Sequence, residues 1–179
     1  MKSIAVFCGS SKGNDPIYTK VANELGKYLA QQKIGLVYGG GNIGLMGIIA
    51  DAVLQSGGKV TGVIPHFLMK KEVGHTGLTE LILVDTMHQR KQIMCDRADA
   101  FITMPGGFGS MDELFEILTW KQLGLHNKPI GVLNVNGYYD HLVALINHMN
   151  CEQFVPDKTK ELVIIDDSIE GLMAKLLSH

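Results

Sequence analysis

The chain has 179 residues, of which 46% are apolar and 19% charged, and a formal net charge of −2. This balance fits one folded domain with a substantial core and excludes a disordered chain, a basic nucleic-acid stripe and a polybasic membrane patch. No apolar run is long enough to span a bilayer, and Met1 leads straight into a strand-like run without the features of a signal peptide.

In chain order, residues 4–8 read as a buried strand. Asp15-Pro16 then opens a helix, with Asp15 as N-cap and Pro16 at the first helical position. Its buried face is expected to carry Val21, Leu25, Tyr28 and Leu29. A strand over 34–38, a helix over 44–54 and a strand over 60–64 follow. The connection 65–77 is polar, irregular and the longest in the chain. Then come a strand over 80–84, a helix over 87–97, a strand over 100–104 and a helix over 111–122. A strand over 130–135, a helix over 139–149, a strand over 162–165 and a helix over 169–177 complete the chain. Alternating helices and continuously apolar, β-branched strands predict a parallel sheet covered on both faces. With right-handed crossovers this is an α/β, Rossmann-like, doubly wound single domain spanning residues 1–179. The strand order is not readable at this level. Ligands of such sheets bind beyond the carboxyl ends of the strands.

Three strand ends carry small-residue loops: Gly9-Ser10-Ser11, Gly39-Gly40-Gly41-Asn42-Ile43-Gly44 and Pro105-Gly106-Gly107-Phe108-Gly109-Ser110. Glycines permit close backbone approach, and each loop feeds a helix N-terminus, where N–H groups and the helix dipole favour a phosphate. One such loop is as well explained by an ordinary strand ending; three at one sheet edge favour a ligand. Gly39-x-Gly41-x-x-Gly44 satisfies the dinucleotide fingerprint. It follows the second strand rather than the first, however, and the next strand ends Val63-Ile64-Pro65-His66-Phe67 without the carboxylate that would hold a ribose. A nicotinamide or flavin dinucleotide is therefore discounted.

Ser110 and Glu113 fit a capping box, which would account for both without chemistry. The alternative places Glu113 beside a phosphosugar, where its charge would stabilise a cationic sugar or orient a water. Thr86 and Gln89 fit a second capping box. Arg90 and Lys91 fit either an exposed basic face or a pair projecting into the crevice. Glu72, in the long connection, is a candidate pocket carboxylate. Phe115, Leu118 and Trp120 are expected in the core or an interface, and the nine methionines as core filler. The three cysteines, Cys8, Cys95 and Cys151, form no CxxC pair and leave an odd count, which points to reduced thiols and a cytoplasmic location. The seven histidines show no metal-ligand spacing, and neither a catalytic metal nor a cofactor is expected.

The chain resembles the LONELY GUY family, the cytokinin riboside 5'-monophosphate phosphoribohydrolases, over nearly its whole length. The matching motifs include Ala5-Val6-Phe7-Cys8-Gly9-Ser10-Ser11, Val37-Tyr38-Gly39-Gly40-Gly41-Asn42-Ile43-Gly44-Leu45-Met46-Gly47 and His75-Thr76-Gly77-Leu78-Thr79-Glu80-Leu81. Met87-His88-Gln89-Arg90-Lys91, the run from Pro105 through Met111-Asp112-Glu113, and Leu118-Thr119-Trp120-Lys121-Gln122 continue the match. Ser110 stands where the family usually has Thr; both hydroxyls cap helices and donate to phosphate.

The resemblance implies a catalytic pair, Arg90 and Glu113. It also implies substrate contacts from Glu72, Lys91, Gly106, Gly107, Phe108, Gly109, Ser110, Met111, Asp112 and Thr119. Further loop contacts are expected at Gly9, Ser10, Gly40, Gly41 and Asn42. It implies hydrolysis of a nucleoside 5'-monophosphate to free base and ribose 5-phosphate by a homodimer, with a small-molecule substrate and no nucleic-acid or membrane partner. Members of this kind are often labelled lysine decarboxylases, but no lysine here has a recognisable pyridoxal-phosphate context. Two other classes stay open on the residues alone: a nucleotide-binding or sensing module without turnover, and a dehydrogenase.

Overall fold

The computed structural model describes residues 1–71, 73–156 and 162–178. The strands are β1 (Ser3–Phe7), β2 (Gly35–Tyr38), β3 (Val60–Pro65), β4 (Glu80–Val84), β5 (Ala100–Thr103), β6 (Ile130–Leu133) and β7 (Val163–Asp166). The helices between and after them are α1 (Pro16–Gln31), α2 (Gly44–Gln55), α3 (Met87–Arg97), α4 (Phe108–Gln122), α5 (Asp140–Cys151) and α6 (Ile169–Leu177). Short 3-10 turns occupy His66–Leu68, within the long connection, and Val135–Gly137. Every strand pairing is parallel, and the order is β4-β3-β2-β1-β5-β6-β7. This is the Rossmann-like doubly wound sheet that the alternation of elements predicts.

Apolar side chains of alternating strand positions feed two cores. On one face Ile4, Leu36 and Ile102 meet Leu25 and Leu29 of α1, Ile49 and Val53 of α2, and Leu172 and Leu176 of α6. On the other, Ala5, Val37 and Phe101 meet Met94 of α3 and Leu114 and Ile117 of α4. Each fully buried Leu or Ile contributes roughly 1.5–3 kcal/mol relative to exposure, so the sheet is clamped from both sides. The α1 face is formed by Ala22, Leu25, Gly26 and Leu29, while Val21 and Tyr28 are half-buried at its margin. Asp15 caps α1 as expected, its carboxylate accepting from the Ile17 N–H at 2.9 Å.

The topology places the site. From β1 the chain steps outward through β2, β3 and β4, then returns to lay β5 against the other side of β1. The connections at the carboxyl ends of β1 and β5 therefore diverge to opposite faces and open a crevice between them. One boundary differs in a way that matters there. Helix α4 begins at Phe108, with Gly107 as its N-cap, three residues before the expected start at Met111. A glycine cap has no side chain to announce it, and the first turn contains a second glycine, Gly109.

Candidate active site

Backbone hydrogen bonds lace the rims of the crevice together. Gly9 N–H donates to the Pro105 carbonyl at 3.0 Å, Met104 N–H to Phe7 at 2.8 Å, and Leu45 N–H to Gly9 at 2.9 Å. Two tyrosines steady the β5 loop from outside. Tyr138 donates its hydroxyl proton to the Gly106 carbonyl at 2.6 Å, and Tyr139 donates to Met104 at 2.7 Å. Burial pushes the Tyr139 phenol upward in pKa, so it stays protonated and keeps donating.

A cleft of about 210 Å³ lies between these rims. Its polar wall is Ser10, Arg90, Ser110 and Glu113; Gly107 and Gly109 supply open backbone at the start of α4. Its apolar wall is Cys8, Met46, Leu68, Met87 and Phe108. Arg90 is 4% exposed and Glu113 9%. Charges are rarely buried so deeply, and two of opposite sign in one crevice at a topological switch point mark it as the candidate site. Burial first, and the negative charge of Glu113 second, push the Cys8 thiol upward in pKa, so Cys8 contributes a neutral wall rather than a thiolate.

Arg90 is positioned from its own helix and from the end of β2. The Thr86–Gln89 capping box forms in full: Gln89 N–H donates to Thr86 Oγ1 at 3.1 Å and Thr86 N–H to Gln89 Oε1 at 3.2 Å. This locks the first turn of α3, from which Arg90 reaches across to donate an Nη2–H to the Gly39 carbonyl at 3.1 Å. Met87 Sδ lies 3.8 Å from the other terminal nitrogen.

Ser110 and Glu113 do not form the box their spacing suggests. The N-cap is Gly107 and no side chain caps α4. Ser110 is therefore the third helical residue, and Glu113 lies in the second turn. Capping thus does not account for the burial of Glu113, and its side chain lines the cleft.

The other candidate residues lie elsewhere. Gly9 and Gly106 line an adjoining hollow of about 260 Å³ that shares Ser10 and Gly107 with the cleft and is edged by Lys12, Tyr18 and Tyr138. Lys91 points to α4, with Nζ 3.1 Å from Asp112 Oδ2 and 3.0 Å from Glu116 Oε2. Burial opposes its charge, but the hydrogen bonds it donates to Glu116 and Asp112 outweigh that and raise its pKa. Thr119 donates its hydroxyl proton to the Phe115 carbonyl at 2.7 Å, farther along α4. Neither Met111 nor Asp112 lines the cleft. Gly40, Gly41 and Asn42 bond the later part of the long connection: His75 N–H donates to Gly40 at 2.9 Å, Asn42 N–H to Val73 at 2.9 Å, and Gly41 bridges Gly74. Glu72 lies outside the described residues.

Of the apolar wall, sequence reasoning named Phe108 as a contact and missed the rest, above all Met46 and Leu68. The one available signal was position, since Met46 follows a loop glycine and Leu68 a strand end. A larger hollow of about 530 Å³ between α1 and the start of α6 touches only the end of β7, through Asp167 and Ser168, and has no glycine loop. The smaller cleft, where the buried charges converge, is the candidate site.

Residues 46–176 match a family model described as "Possible lysine decarboxylase". The chain is 48% identical over 178 residues to the cytokinin riboside 5'-monophosphate phosphoribohydrolase of Rhodococcoides fascians, covering 99% of this chain and 90% of that one. It is 47% identical over 175 residues to a protein of the same name from Arabidopsis thaliana, covering 98% and 82%. Among solved structures, the molybdenum cofactor binding protein of Rippkaea orientalis superposes with a TM-score of 0.73 at 21% identity, over 99% of this chain and 96% of that one. A Moco carrier protein of Chlamydomonas reinhardtii gives 0.72 at 20%, over 99% and 98%. At these identities the likeness is one of fold.

Proposed function

The chain belongs to the LONELY GUY family of cytokinin riboside 5'-monophosphate phosphoribohydrolases, and from that premise we propose that it hydrolyses the N-glycosidic bond of a cytokinin-type or purine nucleoside 5'-monophosphate, releasing the free base and ribose 5-phosphate. The observation that carries the reading is the burial of Arg90 and Glu113 in one cleft beside the open backbone of Gly107 and Gly109.

The chemistry follows from those groups. The 5'-phosphate binds at the start of α4, where backbone N–H groups, the Ser110 hydroxyl and the helix dipole favour an anion. The C1'–N bond breaks with its electron pair leaving on the base, and water adds its oxygen to C1', one of its protons staying as the C1' hydroxyl and the other released as the base takes up one proton. The ribosyl group is cationic on the way, and Glu113 stabilises that charge from a site of low dielectric. An arginine stays protonated and is a poor general acid; Arg90 orients the substrate and stabilises the departing base.

Among the described residues no lysine lines the cleft, and Lys91 is committed to Asp112 and Glu116, which gives the family model's description as a decarboxylase no support at this site. A carrier without turnover rests on fold likeness alone. In place of a dinucleotide, the fingerprint loop meets the protein's own groups.

The test is incubation with AMP, an N6-prenylated AMP and the matching nucleosides, followed by detection of free base and ribose 5-phosphate. Monophosphates should react at least tenfold faster in kcat/KM than nucleosides, since each lost charge-assisted hydrogen bond costs roughly 1.5–3 kcal/mol. Equal kcat/KM for AMP and adenosine overturns the phosphate assignment; no base from either monophosphate overturns the activity. The working form is a cytoplasmic homodimer, supported by the free cysteines and by exposed Phe115, Leu123 and Leu125 on and just beyond α4. Light scattering giving a monomer mass at micromolar concentration refutes the dimer.

A further inference from the structure

Gly39 is the first residue after β2 and opens the run that imitates a dinucleotide fingerprint. What approaches its backbone is Arg90. The guanidinium donates to the Gly39 carbonyl at 3.1 Å, and a Cβ built on Gly39 would overlap the same terminal nitrogen. The next is Arg90 Cζ at 3.0 Å, and the first atom outside Arg90 is Met46 Sδ at 3.4 Å, an ordinary contact. Gly39 is not among the glycines with a left-handed backbone, so alanine suits its conformation. The demand for glycine at this position therefore comes from one side chain, and that side chain belongs to the cleft.

We propose that Gly39 is a positioning residue for the hydrolysis: the bare backbone at the end of β2 is the seat that holds the Arg90 guanidinium at the cleft. This rests on the activity proposed above. The group that must yield to a Cβ is the end of a flexible side chain rather than backbone. Gly39→Ala should thus fold normally while Arg90 alone leaves its seat. A misplacement of about 1 Å can cost on the order of 10²-fold in rate, and a loss of about 10- to 100-fold in kcat is expected.

Two readouts separate seating from general damage. The first needs no activity. The chain has two arginines; Arg90 is buried, and Arg97 is half exposed beside Glu80. Phenylglyoxal labelling followed by peptide mass mapping should modify Arg97 alone in the parent protein and both arginines in Gly39→Ala. Equal protection of Arg90 in the two proteins overturns the proposal. The second is a double-mutant cycle on kcat with Arg90→Ala. If Gly39 acts through Arg90, the double variant matches Arg90→Ala alone; losses that multiply overturn the proposal. Should Gly39→Ala fold poorly, adding Arg90→Ala removes the overlap and should restore the melting temperature. Failure to restore it places the clash elsewhere and overturns the seat. Absence of base release from the parent protein would sink the activity while leaving the labelling result to decide the seat.

Discussion

The loops after β2 and β5 look alike in sequence and serve opposite ends. Gly107 and Gly109, at the start of α4, have nothing within 4 Å of a built Cβ; the space beside them is the cleft. The glycines after β2 face protein. A Cβ on Gly39 meets Arg90. One on Gly44 would lie 2.5 Å from the Ser10 carbonyl oxygen and the Ser11 nitrogen, at a backbone φ of +60°. Gly40 accepts from the His75 N–H. A glycine-rich strand end thus means that something approaches closely. Whether that is a ligand or the protein itself depends on what the fold brings there.

The largest expected effect tests the cleft-facing loop. Glu113→Gln keeps shape and hydrogen-bonding capacity and removes charge. Because α4 has no capping box to lose, the variant should melt near the parent temperature, bind nucleotide, and lose roughly 10²–10⁴-fold in kcat. Single-turnover base release at the parent rate would remove Glu113 from the mechanism. Arg90→Lys should also be damaging, since Lys keeps the charge and loses the planar fork that spans Gly39 and the cleft.

Paired glycine substitutions sharpen the contrast between the loops. Gly44→Ala forces a side chain into left-handed backbone and into the β1 loop, and should destabilise by about 1–3 kcal/mol or more. Gly109→Ala fills cleft space inside a helix, so stability should hold or rise by about 0.5–1 kcal/mol while KM for the monophosphate rises. Urea unfolding and initial rates on both variants decide the matter; the reverse pattern would exchange the roles of the two loops.

Smaller effects are expected away from both loops. Thr86→Ala removes half of the capping box under Arg90 and should cost about 1 kcal/mol. Gln89 N–H loses its acceptor, and a modest fall in kcat should accompany the fall in melting temperature. Asp166, at the end of β7, provides a control on stability alone. Hydrogen bonds from Lys175 first, and then from Ser168, lower its pKa from 3.8 to about 2. A carboxyl held below its unfolded value stabilises above that value and loses its contribution as pH falls through the folded one. Asp166→Asn should therefore lower the melting temperature at neutral pH, with the gap narrowing as pH falls below 3.8 toward about 2. Its kcat should be unchanged; a kcat defect would tie β7 to the site.

Period and punctuation in the chain determine most of the secondary structure, because these are local. The spans of β4, α3 and α6 match the sequence expectation to the residue, and the Asp15 and Thr86 caps form as their residue types require. The start of α4 was illegible because its cap is a glycine, and Ser110-x-x-Glu113 imitated a box the backbone does not form. The catalytic candidates were legible through family motifs. Their surroundings were not: strand order, the return of the chain from β4 to β5, and the seating of Arg90 on Gly39, 51 residues away in sequence, are long-range contacts. Only tertiary structure decided that one glycine loop faces a cleft and its near-twin faces an arginine. The reason is physical: a glycine states that space is needed, and only the folded neighbours state what fills it.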